Sequence, residues 1–373
     1  MSDERTNLLG MTKDELSGFV RGIGEPSYRG AQLFQWLYAR GATSFGVMTD
    51  LGKGFRSRLE DAAGIGGVAL EARRRSERDG TEKLLFVLED GLRVESVLIP
   101  RALREGDALR EEGEKRLTLC VSTQVGCPLD CAFCATGTMG FGRNLTAGEI
   151  VAQVLASRSG SGKKITNVVF MGMGEPLLNY EAVMKAAGLL AAGVGITPRR
   201  ITVSTAGRVK EIRRMADEDQ RINLAVSLHS AVDATRTRLM PINKKYGIPV
   251  LMEAVEYYYR KTQRRLTYEV IFFDGVNDSP LHVARLIALA RRVPSKINII
   301  PFHPIAFTHP AGLAASLSPS PRAGEIAAEL RRARLTVIVR TSAGEDIHAA
   351  CGQLALSSEI RVAGRLRAAA AAV

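Results

Sequence analysis

At 373 residues the chain is long enough for a full enzyme domain and a smaller accessory one, with ample core. Its 46% hydrophobic and 24% charged residues are ordinary for a soluble globular protein. The first residues, MSDERTNLLG, mix acids with bases and lack an apolar stretch, so no secretion signal is expected. The longest weakly polar run, 186–196, is too short to span a bilayer, so the reading is a cytoplasmic protein with no membrane partner. A net charge of +12, with basic runs at Arg73–Arg75, Arg208–Arg214, Arg236–Lys245 and Arg361–Arg367, favours a polyanion. An arginine-rich proteome raises charge in the same way, so composition alone leaves RNA binding open.

Residues 1–75 read as a small helical module. Thr12 and Glu15 are spaced as a capping box. Leu33, Phe34, Trp36, Leu37 and Tyr38 form one amphipathic stripe, and Met48, Leu51, Phe55 and Leu59 suggest another. Aromatics among Arg29, Arg40 and Arg56 suit RNA stacking and ordinary core alike. KLLFVLED and LRVESVLIP, joined through Asp90-Gly91, read as a β-hairpin, and the aperiodic 101–115 as a linker, giving a second unit over 76–115.

From 116 the pattern alternates strand and helix. Strands are expected at 116–123, 166–172, 200–205, 222–229, 268–273 and 297–302. Helices are expected at 146–158, 180–193, 207–217, 247–263 and 281–293, the first opened by a Thr146/Glu149 capping box. Such a run implies an α/β fold with a parallel sheet and right-handed crossovers. A partial (β/α)6 barrel over 116–342 fits, with active groups at the C-terminal strand ends. A Pro/Ser/Ala loop (303–322), a helix (323–334) and a strand (335–341) follow, then a segment, 343–373, with Cys351 and a basic tail.

Three of the five cysteines form Cys127-Pro-Leu-Asp-Cys131-Ala-Phe-Cys134, just after the first expected barrel strand. Three thiolates this close, beside Gly126 and Pro128, suit three corners of an iron–sulfur cube, which normally takes four cysteine thiolates. The fourth iron then stays open to a small molecule; the run resembles the signature of the radical SAM superfamily, which implies that the open iron binds the amino and carboxylate groups of S-adenosylmethionine. Zinc wants four closed ligands, and no second cysteine pair exists; the nearest histidine, His229, lies far downstream. A disulfide framework suits secreted chains better.

Further candidates sit at strand ends. MGMGEPLLN (171–179) offers Gly174 for close backbone approach and Glu175 as acceptor for an ammonium. Ser204-Thr205 and Ser227-Leu228-His229 are weak signals singly, but after successive strands they line one mouth. Cys120 lies within the first barrel strand, where a free cysteine commonly serves as a small buried hydrophobe. Cys351, between Ala350 and Gly352, is placed for access. Spacing leaves covalent and passive roles for this pair equally open.

Together CVSTQVGC, the cysteine motif with ATGTMGFGRNLTAGEI, MGMGEPLLN, STAG, SLH, PINKKY and DIHAACGQL resemble the RlmN/Cfr family of radical SAM RNA methyltransferases, from about residue 26 to Leu354. The resemblance implies that Cys127, Cys131 and Cys134 hold a 4Fe–4S cluster. It implies that Gly174, Glu175, Ser204, Ser227, Leu228 and His229 contact S-adenosylmethionine. His303 stands where relatives usually carry Asn, and is kept as a donor to the cofactor ribose. Glu95 matches a proton acceptor, Cys351 a cysteine that is itself methylated, and Cys120 its resolving partner in a transient disulfide. The implied reaction methylates carbon 2 of an adenosine in the peptidyl-transferase centre of 23S rRNA, and of the adenosine 3′ to the tRNA anticodon. It consumes two S-adenosylmethionine molecules and calls on an external electron donor and thiol reductant. Carbon 2 is not nucleophilic, which is why radical chemistry is needed there. Carbon 8 of the rRNA adenosine is the alternative product; a non-catalytic iron–sulfur RNA-binding protein is the alternative class.

Overall fold

The computed structural model describes residues 5–100, 116–162 and 164–356. The expected linker 101–115 and the basic tail lie outside the described residues.

The N-terminal stretch opens with α1 (Lys13–Gly22), where Thr12 and Glu15 form the capping box in both directions. Helix α2 (Tyr28–Phe34) runs into a wider turn, Gln35–Arg40, that ends at left-handed Gly41. Leu16, Val20, Leu33, Leu37 and Tyr38 are buried between them. Helix α3 (Lys53–Ala62) begins later than the apolar spacing suggests: Phe55 and Leu59 lie on it, whereas Met48 and Leu51 are buried from the preceding loop. The helical reading also fails at its end, because Ala69–Arg75 is a strand, β1, exposed along its length. Its sequence, ALEARRR, carries no alternation; pairing with the next strand makes it extended.

The hairpin forms as expected from β2 (Glu82–Val87) and β3 (Arg93–Pro100). Gly91 at φ 80° turns the chain, and Asp90 accepts from the Leu92 N–H at 3.0 Å. The hairpin is no free-standing unit, however: β3 pairs antiparallel with β4 (Leu117–Val121), the first barrel strand.

Six strands follow in parallel: β5 (Asn167–Phe170), β6 (Ile201–Thr205), β7 (Asn223–Ser227), β8 (Leu266–Val270), β9 (Ser295–Ile299) and β10 (Thr336–Val339). All ten strands form one sheet in strict chain order. The parallel run is thus the six expected strands plus 335–341, and three antiparallel strands widen its opening side. Val168, Phe170, Val203, Leu224 and Val226 are essentially inaccessible, as expected of strands covered on both faces.

Helices cover the outside: α4 (Ala147–Ser161), α5 (Tyr180–Leu189), α6 (Val209–Asp217), α7 (Asp233–Leu239), α8 (Ile248–Thr262), α9 (Pro280–Ala290) and α10 (Ala323–Arg332). Thr146 and Glu149 cap α4 reciprocally. Among the described residues no helix is long and apolar enough to cross a membrane.

Candidate active site

The cysteine loop leaves β4 and is closed at its base by Gln124–Gly126 pairing antiparallel with Phe141–Asn144. Gly126 is at φ 74°, and a Cβ there would lie 2.0 Å from the Gly140 carbonyl oxygen, so only glycine fits. The Cys127 N–H donates to that same oxygen at 2.8 Å. Farther along, the Ala132 N–H donates to the Leu239 carbonyl and the Cys134 N–H to the Cys131 carbonyl. Phe133, between two of the cysteines, is the apolar anchor: its ring lies 4.3 Å from that of His229 and 5.9 Å from that of Phe273.

Burial pushes the Cys127 thiol up to about 12 and Cys131 well above its ordinary value, with the neighbouring Cys134 sulfur the next cause in both. Backbone N–H groups of Leu129 and Glu175 oppose this at Cys127. The Cys134 sulfur therefore lies close to both Cys127 and Cys131, and all three residues are half-buried. Among the described residues no His, Cys, Asp or Glu group converges on a single metal-ion position. A cube places each thiolate on its own iron, which suits separated sulfurs.

The other strand ends meet this loop. Gly174, at φ 99°, packs against Gln124, and Gln124 accepts from the Glu175 N–H at 2.8 Å. The Glu175 carboxylate is buried and braces β5 to β6, accepting from the Ala206 N–H at 2.7 Å and the Leu177 N–H at 3.0 Å. The hydroxyls of Ser204 and Ser227 face each other at 3.4 Å across adjacent strands, and Leu228 is buried in the core. His229 sits at φ 54°, its Nδ1 accepting from the Ile271 N–H at 3.2 Å. Burial, then Arg236, pulls its pKa down to about 3, so it is neutral with its proton on Nε2.

Arg236, read from sequence as part of a basic run that favours a polyanion, is instead fully buried. It donates to the carbonyls of Ala206, Ser227 and Leu228 and to Asn243 Oδ1, tying the β6 and β7 ends together.

A cavity of about 680 Å³ opens between β4 and β10, with Thr118, Val169, His303, Arg340 and Cys351 among its walls. Cys120, two residues along β4 from Thr118 and buried, is near Cys351: burial raises its pKa to about 12, and the sulfur of Cys351 is the next cause. Arg340 Nη1 lies 3.9 Å from Cys351 Sγ. Burial raises the Cys351 pKa, Arg340 lowers it, and Glu269 raises it further. All five cysteines are free in this structure. Glu95, on β3, is buried at 2% exposure, and its Oε1 accepts from Lys83 Nζ at 2.8 Å.

Residues 121–287 match the Radical SAM superfamily, and residues 6–65 match the ribosomal RNA large subunit methyltransferase N-terminal domain. "Probable dual-specificity RNA methyltransferase RlmN" of Heliobacterium modesticaldum is 44% identical, over 95% of this chain and 90% of its own length. "Dual-specificity RNA methyltransferase RlmN" of Geobacter sulfurreducens is 45% identical, over 94% of this chain and 92% of its own. This chain belongs to the RlmN family. It is a radical SAM RNA methyltransferase. The crystal structure of a radical SAM methyltransferase from Sphaerobacter thermophilus superposes with a TM-score of 0.83 at 39% identity, covering 93% of this chain and 98% of that one.

Radical SAM enzymes use a 4Fe–4S cluster and S-adenosylmethionine, and the donor set of this RlmN-family chain fits both. Three half-buried thiols on one loop are available to the cluster. Glu269 Oε2, Asn298 Oδ1 and His303 Nε2 are buried without a hydrogen-bond partner among the described residues, as a polar ligand requires. His303 Nδ1 lies 3.2 Å from Glu345 Oε1, which orients the ring. Sequence reading missed Lys83, Glu269, Asn298 and Arg340. The signal was available for Lys83, Glu269 and Arg340, since each is a charge inside or ending an otherwise apolar strand run.

Proposed function

We propose that this protein methylates carbon 2 of an adenosine in the peptidyl-transferase centre of 23S rRNA and of the adenosine 3′ to the tRNA anticodon, acting in the cytoplasm. What carries this reading is the nearness of buried Cys120 to Cys351, which lines the cavity beside the three-cysteine loop with Arg340 against it. The dual specificity named for the relatives supports two RNA substrates.

Cys127, Cys131 and Cys134 would hold the cluster, and Gly174, Glu175, Ser204, Ser227, Leu228, His229 and His303 the cofactor. When bound, the cluster and two S-adenosylmethionine molecules supply the methyl group and a hydrogen-abstracting radical. Cys351, as a thiolate steadied by Arg340, accepts the methyl group and carries its carbon to the base. The adduct gives up one electron, which the cluster would accept, and Glu95 receives the ring proton. Cys120 then attacks Cys351 sulfur, breaking its bond to the methylene carbon, which takes a proton; methylated RNA leaves, and the disulfide formed is reduced by exchange with an external thiol. An external electron donor completes the cycle. The adenosine must leave its stack to reach this mouth.

Mass spectrometry of nucleosides after anaerobic turnover on 23S rRNA and tRNA tests the proposal. The expected product is 2-methyladenosine in both. Only 8-methyladenosine, or no methylated adenosine, would overturn it.

A further inference from the structure

Lys83 has no part in the chemistry described so far, yet it is 9% exposed, a rare setting for a lysine. Register explains its placement. Lys83 pairs with Val97, and Val97 with Cys120, so the three side chains share one face of the sheet. Glu95 pairs with Leu85, two residues along, which sets it diagonal to Lys83 on that face and within reach of a long side chain.

Lys83 Nζ makes two contacts with different parts of the chain. It donates to Glu95 Oε1 at 2.8 Å and to the His348 carbonyl oxygen at 3.1 Å. His348 lies three positions before Cys351. One ammonium therefore touches both the carboxylate and the loop that bears the methyl-carrying thiol. The groups facing Glu95 are Lys83 from β2, Arg74 from β1 and the Ala355 N–H from the C-terminal segment, all opposing the upward pull of burial. Glu95 Oε2 has no hydrogen-bond partner among the described residues, which leaves it free to take a proton.

Resting on the reading of Glu95 as proton acceptor, we infer that Lys83 is a positioning residue that holds Glu95 as a carboxylate and, through His348, fixes the Cys351 loop beside it. In the step it serves, the adduct has given up one electron; the ring C–H bond then breaks, its electron pair restores the aromatic ring and the proton passes to Glu95. Glu95 becomes a neutral acid, while Lys83 remains an ammonium with the His348 carbonyl still accepting. Without that ammonium, burial would protonate Glu95 before the base arrived.

Three variants of the full-length holoenzyme separate the two roles. Lys83→Gln keeps N–H donors without charge, Lys83→Met removes both, and Lys83→Arg keeps the charge. Single-turnover RNA methylation is followed against pH, starting from enzyme already methylated on Cys351; methyl uptake by Cys351 is followed separately. In Lys83→Gln the acid limb of RNA methylation should move up by about one pH unit or more, costing about tenfold at neutral pH, and Lys83→Arg should restore it. Methyl uptake should be slower in Lys83→Met than in Lys83→Gln. A Lys83→Gln profile superimposed on wild type would overturn the charge role, and equal uptake in the Met and Gln variants the loop role. Should Lys83→Met fail to fold, the Gln and Arg profiles still decide the charge role. Glu95→Gln runs alongside: full RNA methylation there would remove Glu95 as acceptor, whereas its loss with an undisturbed Lys83→Gln would sink only the inference about Lys83.

Discussion

Replacing Arg340 by Met removes the one cation seen against Cys351 among the described residues. Its Nη1 is 3.9 Å from the sulfur, and a unit pair at that distance in an effective dielectric near 20 is worth about 4 kcal/mol. Both residues are half-buried, so solvent screening reduces this to about 1–2 kcal/mol, or about one pKa unit. The sign follows from the neighbours: Arg340 lowers the Cys351 pKa and Glu269 raises it. Arg340→Met should therefore raise it further, and Glu269→Gln should lower it. The assay is the rate of Cys351 alkylation by iodoacetamide against pH, read by peptide mass spectrometry on the full chain. In Arg340→Met the rate at neutral pH should fall about tenfold and the profile move to higher pH. In Glu269→Gln it should move to lower pH. Profiles that superimpose on wild type would refute the assignment of Arg340 as the group that steadies the thiolate.

Two further substitutions probe the frame. Arg236→Met leaves three carbonyls and Asn243 Oδ1 without their donor in a fully buried place, a loss of about 3–5 kcal/mol. At about 2 °C per kcal/mol, the anaerobic melting temperature should drop by about 6–10 °C, and a drop under about 2 °C would contradict the brace. Gly126→Ala meets the Gly140 carbonyl oxygen and demands a left-handed backbone, so the cysteine loop should not close. Iron after reconstitution should fall from about four per chain to about half or less; unchanged loading would contradict the geometry.

The barrel was legible because strands buried on both faces read as apolar runs, and the alternation with capped helices gave their order. Ala69–Arg75 escaped notice because an exposed edge strand needs no apolar face. Arg236 was misplaced because a basic run looks the same whether it faces solvent or, as here, one member turns inward to satisfy carbonyls. The cysteine loop and strand-end motifs are local in sequence and were found locally. Lys83, Glu269 and Arg340 matter through partners far along the chain, such as His348 and Cys351, and only register and strand order bring those together. A charge within a mostly apolar strand, as Glu95 is in VESVLIP, was the cue.

In the proposed mechanism Cys351 bonds to the base and Cys120 frees it. In Cys120→Ala, Cys351 should still be methylated and still join the adenosine, with nothing to release the product. A covalent protein–RNA species should accumulate under anaerobic turnover, and nuclease digestion should leave a nucleotide-sized mass on the peptide that contains Cys351. Multiple turnovers by Cys120→Ala with no RNA trapped on the protein would contradict the account.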